Sequence, residues 1–163
     1  MKWVKQSIHY WCPDTKEHKF LGQNVTVAIL DTGISPHPDF KDRILSFRDF
    51  SSTTGSSEKV LFSFSHFSPL IDNSGHGTHV AGILAGSGLL SSGTYAGIAP
   101  FCNLIIGKVL DQNGNGSIKN VINGIQWIRD IYTQFHIRII NISVGTRPDL
   151  SIHQKLLLLN AVE

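Results

Sequence analysis

The sequence predicts an α/β fold in which a parallel β-sheet is covered by helices on both faces. Short apolar runs rich in β-branched residues alternate along the chain with stretches whose apolar residues recur at helical spacing. This alternation is typical of parallel sheets, whose strands are joined by crossing helices. The hydrophobic content of 41% and the charged content of 16% suit a globular core and exclude a disordered chain.

Four strands are predicted, and the first is the clearest. Residues 24–30 form a short run rich in β-branched side chains, as expected for a buried strand. The turn that follows, at 34–39, contains two prolines. The other three strands are predicted at 43–47, 103–110 and 137–144.

Three helices are predicted between and after these strands. Residues 76–86 are mostly small, so this helix must approach the sheet closely. The helix at 117–132 has apolar residues spaced by three and four, namely Ile118, Val121, Ile122, Ile125 and Ile128. The last helix is predicted at 150–162, and its leucines at 156–159 form a cluster that should cover a sheet whose later strands are absent, so we expect apolar surface to stay open. Residues 51–57 are rich in Ser, Thr and Gly and are predicted to form a loop.

Length and composition limit the number of domains in the chain and the kinds of partner it can have. The 163 residues suffice for one domain, with a lead segment at 1–23 that packs on the surface and a folded portion at 24–163. The net charge is +2 and the basic residues are scattered, so no nucleic-acid partner is expected. No apolar export or membrane segment is visible, and Cys12 and Cys102 cannot form a disulfide framework. We therefore expect a cytoplasmic protein with no membrane partner.

The chemistry-bearing residues are expected at one edge of the sheet. Asp31 directly follows the first predicted strand, and Ser143–Gly145 lie at the end of the fourth. Sites in folds of this kind form at the carboxyl ends of the strands. The second informative segment, HGTHVAG, begins at His76 where a helix is predicted to start. A buried Asp can orient a His, and a His can take the proton of a hydroxyl nucleophile.

Two motifs make the resemblance to a known family specific. Residues 27–34 (VAILDTGI), followed by 37–39 (HPD), resemble the aspartate motif of the subtilisin-like serine proteases, the subtilases. Residues 72–82 (DNSGHGTHVAG) resemble their histidine motif, and the order Asp before His is that of subtilisin. The similarity continues through 97–100 (GIAP), 108–110 (KVL) and 141–145 (NISVG). The resemblance is strongest to the intracellular subtilisin-like proteases of Bacillus-type bacteria.

The resemblance implies a subtilisin-like α/β domain and hydrolysis of peptide bonds in a peptide or protein substrate. It makes Asp31 the acid and His76 the general base of an Asp-His-Ser triad.

The resemblance also implies a substrate-binding cleft. Ser143, Val144 and Gly145 would form the edge that pairs with the substrate backbone. The facing edge of the cleft would consist of Gly114, Asn115 and Gly116.

The sequence departs from the family in one respect. The family nucleophile stands in a Gly-Thr-Ser-Met-Ala motif, and the sequence contains no Gly-Thr-Ser. We therefore expect the N-terminal part of a subtilase domain, truncated at its C-terminal side and inactive alone. Three alternatives follow: an inactive subtilase fragment, one chain of a split protease that needs a missing C-terminal half, or a fragment that only binds peptides.

Rival interpretations of single residues are weaker. The segment at 111–116 imitates a calcium loop, but Ile122 stands where the bidentate Glu is required. Asp39 matches a calcium-ligating position of some subtilases without a convincing partner loop, so no metal and no cofactor are predicted. Ser143 lies in half of a nucleophile elbow, but the first glycine of that elbow is replaced by Asn141.

Overall fold

The computed structural model of this chain describes residues 2–8, 10, 20–52, 60–61, 72–145 and 151–162. Its helices are α1 (Lys2–Ser7), α2 (His76–Ala85), α3 (Ile118–Phe135) and α4 (Ile152–Val162). Its strands are β1 (Thr26–Asp31), β2 (Ile44–Asp49), β3 (Val60–Leu61), β4 (Asn103–Lys108) and β5 (Ile137–Ile142). Short 3₁₀ turns lie at Lys41–Arg43 and Leu89–Ser91. Of the predicted loop at 51–57, residues 53–57 lie outside the described residues.

The strands form one sheet in the order β3-β2-β4-β1-β5. β2, β4, β1 and β5 run parallel, and β3 pairs antiparallel with β2. In the register, Asp31 of β1 lies opposite Lys108 of β4, and Leu30 lies opposite Ile142 of β5. The predicted α/β class is confirmed. The two-residue strand β3 was not predicted, because so short a segment carries no periodicity.

The core has two layers, one on each face of the sheet. On one face Val27 and Ile29 of β1 pack with Ala81 and Ala85 of α2. On the other face Ala28 and Leu30 pack with the apolar side of α3. This division follows from the alternation of side chains along a strand. The predicted covering of both faces by helices is therefore confirmed.

Several strand boundaries differ from the sequence prediction, and for two of them the local reason is clear. β1 begins at Thr26 rather than at residue 24, because Asn24 has a positive φ of 62°. The N–H of Val25 bonds the Gly22 carbonyl in the preceding turn. β4 ends at Lys108, because the N–H groups of Val109 and Leu110 both donate to the Asp31 carbonyl. The chain thus turns across the end of β1 instead of continuing as a strand.

The outer edge of β5 and most of α4 are exposed. Ile139, Ile140 and Ile142 of β5 have 53%, 40% and 37% of their surface accessible. α4 packs on α3 through Leu158 and Ala161. Of the leucine cluster at 156–159, Leu156, Leu157 and Leu159 are exposed, so most of this apolar surface stays uncovered.

The lead segment is attached to the loop that follows α2. The Lys5 ammonium donates to the Gly97 carbonyl at 2.9 Å, and the Tyr10 hydroxyl donates to the Ile98 carbonyl at 2.6 Å. Among the described residues, no helix has the length and apolar character needed to cross a bilayer.

Candidate active site

The candidate site forms where β1 ends. Asp31 is the last residue of β1, and β4 and β5 are its two neighbours in the sheet. The segment after β4 leads into the turn at 111–116, and the segment after β5 is Ser143–Gly145. Because the three strands are parallel, these two segments leave the sheet at the edge where Asp31 lies. Asp31 and Ser143–Gly145 therefore lie at the same end of the sheet, as expected.

Asp31 and His76 are joined by a hydrogen bond. Asp31 is completely buried, and its Oδ1 lies 2.8 Å from Nδ1 of His76. The same oxygen accepts the backbone N–H of Thr32 at 2.7 Å. The side chain of His76 is 53% exposed. The carboxylate is thus held inside the fold while the imidazole faces outward.

The bond to Asp31 sets the protonation of the imidazole. It raises the pKa of His76 above its ordinary value, and the charge of Asp31 and then that of Asp72 act in the same direction. Burial lowers the pKa and ranks above the Asp72 charge, but the bond to Asp31 and the charge of Asp31 outweigh it. Because a carboxylate accepts, Nδ1 carries the shared hydrogen. Within the described part of the chain, Nε2 contacts no hydrogen-bonding group, so it is available to a reacting partner.

Glycines allow α2 to begin against the end of β1. Gly75, which precedes the helix, has a φ of +84°, a conformation that residues with a side chain rarely adopt. A Cβ on Gly77 would collide with the carbonyl oxygen of Gly33 and lie 3.2 Å from Oδ1 of Asp31. Only a glycine at 77 lets the first turn of α2 come close enough for His76 to reach Asp31.

The N-terminus of α2 is capped from outside the helix. Its N-cap residue, Gly75, has no side chain to satisfy the first N–H groups. Oδ2 of Asp72 accepts the N–H of Thr78 at 2.8 Å, and Oγ1 of Thr32 accepts the N–H of Gly77 at 2.9 Å. A carboxylate at this end of a helix is also favoured by the helix dipole.

A buried lysine fixes the backbone beside Asp31. The Nζ atom of Lys108 donates to the Thr32 carbonyl at 2.5 Å, and Lys108 is 7% exposed. The Asp31 carbonyl accepts the N–H groups of Val109 and Leu110 at 2.9 and 3.2 Å. The segments after β1 and β4 are therefore bonded to each other at the site.

The expected substrate-binding edges lie on exposed segments. Gly114–Gly116 belong to a turn organised by Asp111, whose Oδ1 accepts the N–H groups of Asn113 and Asn115. Ser143 is exposed, and its hydroxyl accepts from Nδ2 of Asn141 at 2.9 Å. Ser143 thus bonds an amide side chain rather than an imidazole.

No cluster of three or more metal-ligating side chains occurs among residues 2–8, 10, 20–52, 60–61, 72–145 and 151–162. Asp39, the calcium-matching position, accepts the N–H of Gly88 at 3.0 Å and that of Leu90 at 3.3 Å. Its carboxylate therefore stabilises the 3₁₀ turn that begins after Gly88.

Three contributors to the site had no role in the sequence interpretation, namely Asp72, Thr32 and Lys108. Asp72 had a detectable signal, because an Asp shortly before a helix start is a common cap. The roles of Thr32 and Lys108 depend on contacts between distant segments, which periodicity does not reveal.

The fold and this site define the class of the protein: an α/β protein with an Asp–His pair at the edge of a parallel sheet. Residues 22–160 match the model of the subtilase family, peptidase S8, and the chain belongs to that family. It is 46% identical over 106 residues to the serine protease AprX of Bacillus subtilis. It is 37% identical over 131 residues to the major intracellular serine protease of the same organism.

Solved structures agree with the sequence relatives. The CspB protease of Clostridium perfringens superposes with a TM-score of 0.71 at 27% identity, over 89% of this chain and 33% of that one. Sphericase superposes with a TM-score of 0.69 at 28% identity, over 86% of this chain and 42% of that one. The matches cover 65% and 79% of this chain for AprX and the intracellular protease, but only 21% and 36% of those relatives.

Proposed function

We propose that this chain supplies the acid and the general base of a serine endopeptidase, Asp31 and His76 respectively. The observation that carries the proposal is the 2.8 Å bond between the buried Asp31 carboxylate and Nδ1 of the half-exposed His76. Membership of the subtilase family supports it. A cytoplasmic location is proposed with it, on the similarity to a major intracellular protease.

The proposed reaction uses both ring nitrogens of His76: Nε2 transfers the proton, and Nδ1 is bonded to Asp31. Nε2 of His76 takes the proton of a serine hydroxyl as its oxygen attacks the peptide carbonyl, and then gives that proton to the leaving amine. Water hydrolyses the resulting acyl-enzyme by the same transfer. Asp31 holds the tautomer with hydrogen on Nδ1 and stabilises the imidazolium that forms.

The substrate is proposed to be a peptide in extended conformation. Ser143–Gly145 on one side and Gly114–Gly116 on the other follow the two strands that flank β1. Their exposed backbone can bond a peptide laid between them as an added strand. The scissile bond would then lie over the exposed imidazole.

The nucleophile is proposed to come from outside these 163 residues, since no serine among them stands in the family's Gly-Thr-Ser context. The open edge of β5 suits the attachment of further subtilase structure. Ile139 and Ile140 point to opposite faces of the sheet and both are exposed, so an added strand with flanking helices would cover them.

The experiment tests this chain alone and with the C-terminal part of a related subtilase, added as a separate polypeptide or fused. A polypeptide of these 163 residues should show no peptidase activity and no labelling by a fluorophosphonate, because the covalent route is absent. The assembled protein should cleave peptides.

Variants then assign the activity of the assembly. Asp31→Asn and His76→Ala should each remove most of it, because both residues serve one proton transfer. His37→Ala, an exposed turn histidine, is the matched control and should retain it. Activity indifferent to His76→Ala would overturn the proposal. A complex that binds peptide without cleaving it would favour the peptide-binding alternative.

A further inference from the structure

Asp72 bonds both segments that carry the proposed catalytic pair. Its Oδ1 accepts from Oγ1 of Thr32 and from the N–H of Gly75, both at 2.8 Å. Its Oδ2 accepts hydrogen bonds from the N–H of Thr78 at 2.8 Å and from the hydroxyl of Thr78 at 2.5 Å. Thr32 follows β1, whereas Gly75 and Thr78 belong to the start of α2. One carboxylate therefore joins the strand end to the helix start.

The Thr32 hydroxyl makes the most direct link. It donates to Asp72 and accepts the N–H of Gly77 at 2.9 Å. Thr32 is the residue after Asp31, and Gly77 is the residue after His76. The chain neighbours of the two proposed catalytic residues are thus bonded to each other, although Asp31 and His76 lie 45 residues apart.

The Thr78 hydroxyl makes a second, parallel link. It donates to Asp72 and accepts the N–H of Ser35 at 2.9 Å. Ser35 lies in the loop after β1. Two hydroxyls thus use both their donor and their acceptor capacity between the same two segments, with the carboxylate of Asp72 at the centre.

We propose that Asp72 is a positioning residue: through Thr32 and Thr78 it holds the first turn of α2 so that His76 stays in line with Asp31. The proposal rests on the function proposed above for Asp31 and His76. Asp72 makes no hydrogen bond to the imidazole in the described part of the chain, so it positions His76 indirectly, while its charge also acts on the imidazole.

The charge of Asp72 is maintained by the same bonds. Burial raises its pKa, but the bonds from the Thr78 side chain and backbone, from Thr32 and from Gly75 outweigh burial and hold the pKa below its ordinary value. Among the described residues, the charged groups that act on His76 are the carboxylates of Asp31 and Asp72. A variant that removes the charge of Asp72 should therefore affect the pKa of His76 differently from a variant that only breaks the hydrogen bonds aligning α2 with β1.

The test is an NMR titration of the His76 imidazole in the 163-residue chain. Asp72→Asn should lower the apparent pKa of His76 through loss of both charge and alignment. Thr32→Val leaves both carboxylates in place, so a fall of the pKa in this variant reports loss of alignment alone. Thr32→Ser keeps the hydroxyl and should restore the wild-type titration.

Asp39→Asn is the matched control. Asp39 also accepts two backbone N–H groups, but at the 3₁₀ turn beyond the end of α2. The Asp39→Asn variant should have a lower free energy of unfolding but an unchanged pKa of His76. Far-ultraviolet circular dichroism of each variant checks that the fold is retained.

Unchanged titration of His76 in folded Thr32→Val would overturn the positioning role and leave Asp72 as a helix cap. The same conclusion would follow if Thr32→Ser behaved like Thr32→Val. In the assembled peptidase, Thr32→Val should lower kcat by about tenfold with little change in KM. The titration requires neither substrate nor nucleophile, so failure of the proposed peptidase activity would not alter its result.

Discussion

Oδ1 of Asp31, a side chain with no exposed surface, lies 2.8 Å from Nδ1 of His76, whose side chain is 53% exposed. The carboxylate is buried at the end of β1, and the imidazole reaches it from the first residue of α2. This asymmetry lets the carboxylate act on the imidazole in a shielded environment while the other ring nitrogen stays accessible.

The raised pKa of His76 gives a pH-dependent stability with a defined sign. The folded state binds the proton more tightly than the unfolded chain, whose histidine titrates near 6.5. This stabilisation is fully present below the unfolded pKa and is lost as pH rises through the folded pKa. Replacing His76 with Gln removes it, so the wild type's advantage in unfolding free energy should shrink with rising pH.

Urea unfolding of the two proteins from about pH 5 to about pH 8 measures this difference. An advantage of the wild type that grows with pH would contradict the assigned direction.

Gly77→Ala should damage the site and the fold together. The added Cβ collides with the Gly33 carbonyl and forces α2 away from β1, at a cost of about 1–3 kcal/mol. Gly82→Ala is the control on the same helix, since a Cβ there meets nothing within 4 Å. That variant should be more stable than wild type by about 0.5–1 kcal/mol. Equal unfolding midpoints for the two variants would contradict the close approach at Gly77.

Arg43→Met should destabilise the face of the sheet that α2 covers. The Arg43 guanidinium donates to the carbonyls of Asp39, Ala85 and Cys102, which lie on three different segments. Loss of these charge-assisted bonds removes a donor from each carbonyl, although the Asp39 carbonyl keeps the N–H of Ser87, and it should cost about 2–4 kcal/mol.

Chemical denaturation measures this loss against Arg129→Met, a control on the exposed side of α3. The control should lie within about 0.5 kcal/mol of wild type. A similarly small effect of Arg43→Met would show that the three carbonyls are satisfied in other ways.

The exposed edge of β5 should cause self-association of the 163-residue polypeptide. Replacing Ile139 and Ile142 with Thr keeps strand propensity but removes apolar surface from the edge. Sedimentation velocity should show a shift of the double variant towards monomer. The control replaces Leu89 and Leu90, which are 64% and 67% exposed elsewhere, with Thr. An equal shift in the control would mean that association follows general apolar exposure rather than this edge.

The sequence alone determined the class of fold, the order of the four parallel strands along the chain and the identity of the two candidate catalytic residues. Apolar runs sufficed for the buried strands because helices cover both faces of β1, and the three-and-four spacing of apolar residues sufficed for α3. The motifs around Asp31 and His76 sufficed to identify this pair because both motifs are long and occur in the family's order along the chain. Domain limits and the substrate-binding edges stay predictions.

Only the tertiary structure decided how the pair is held. The roles of Thr32, Asp72 and Lys108 arise from hydrogen bonds between segments far apart in the sequence, and a linear pattern does not encode such contacts. The exposure of the α4 leucines and of the β5 isoleucines was likewise set by which surfaces meet. A leucine run shows that burial is favourable, but the neighbouring elements determine whether a partner surface exists.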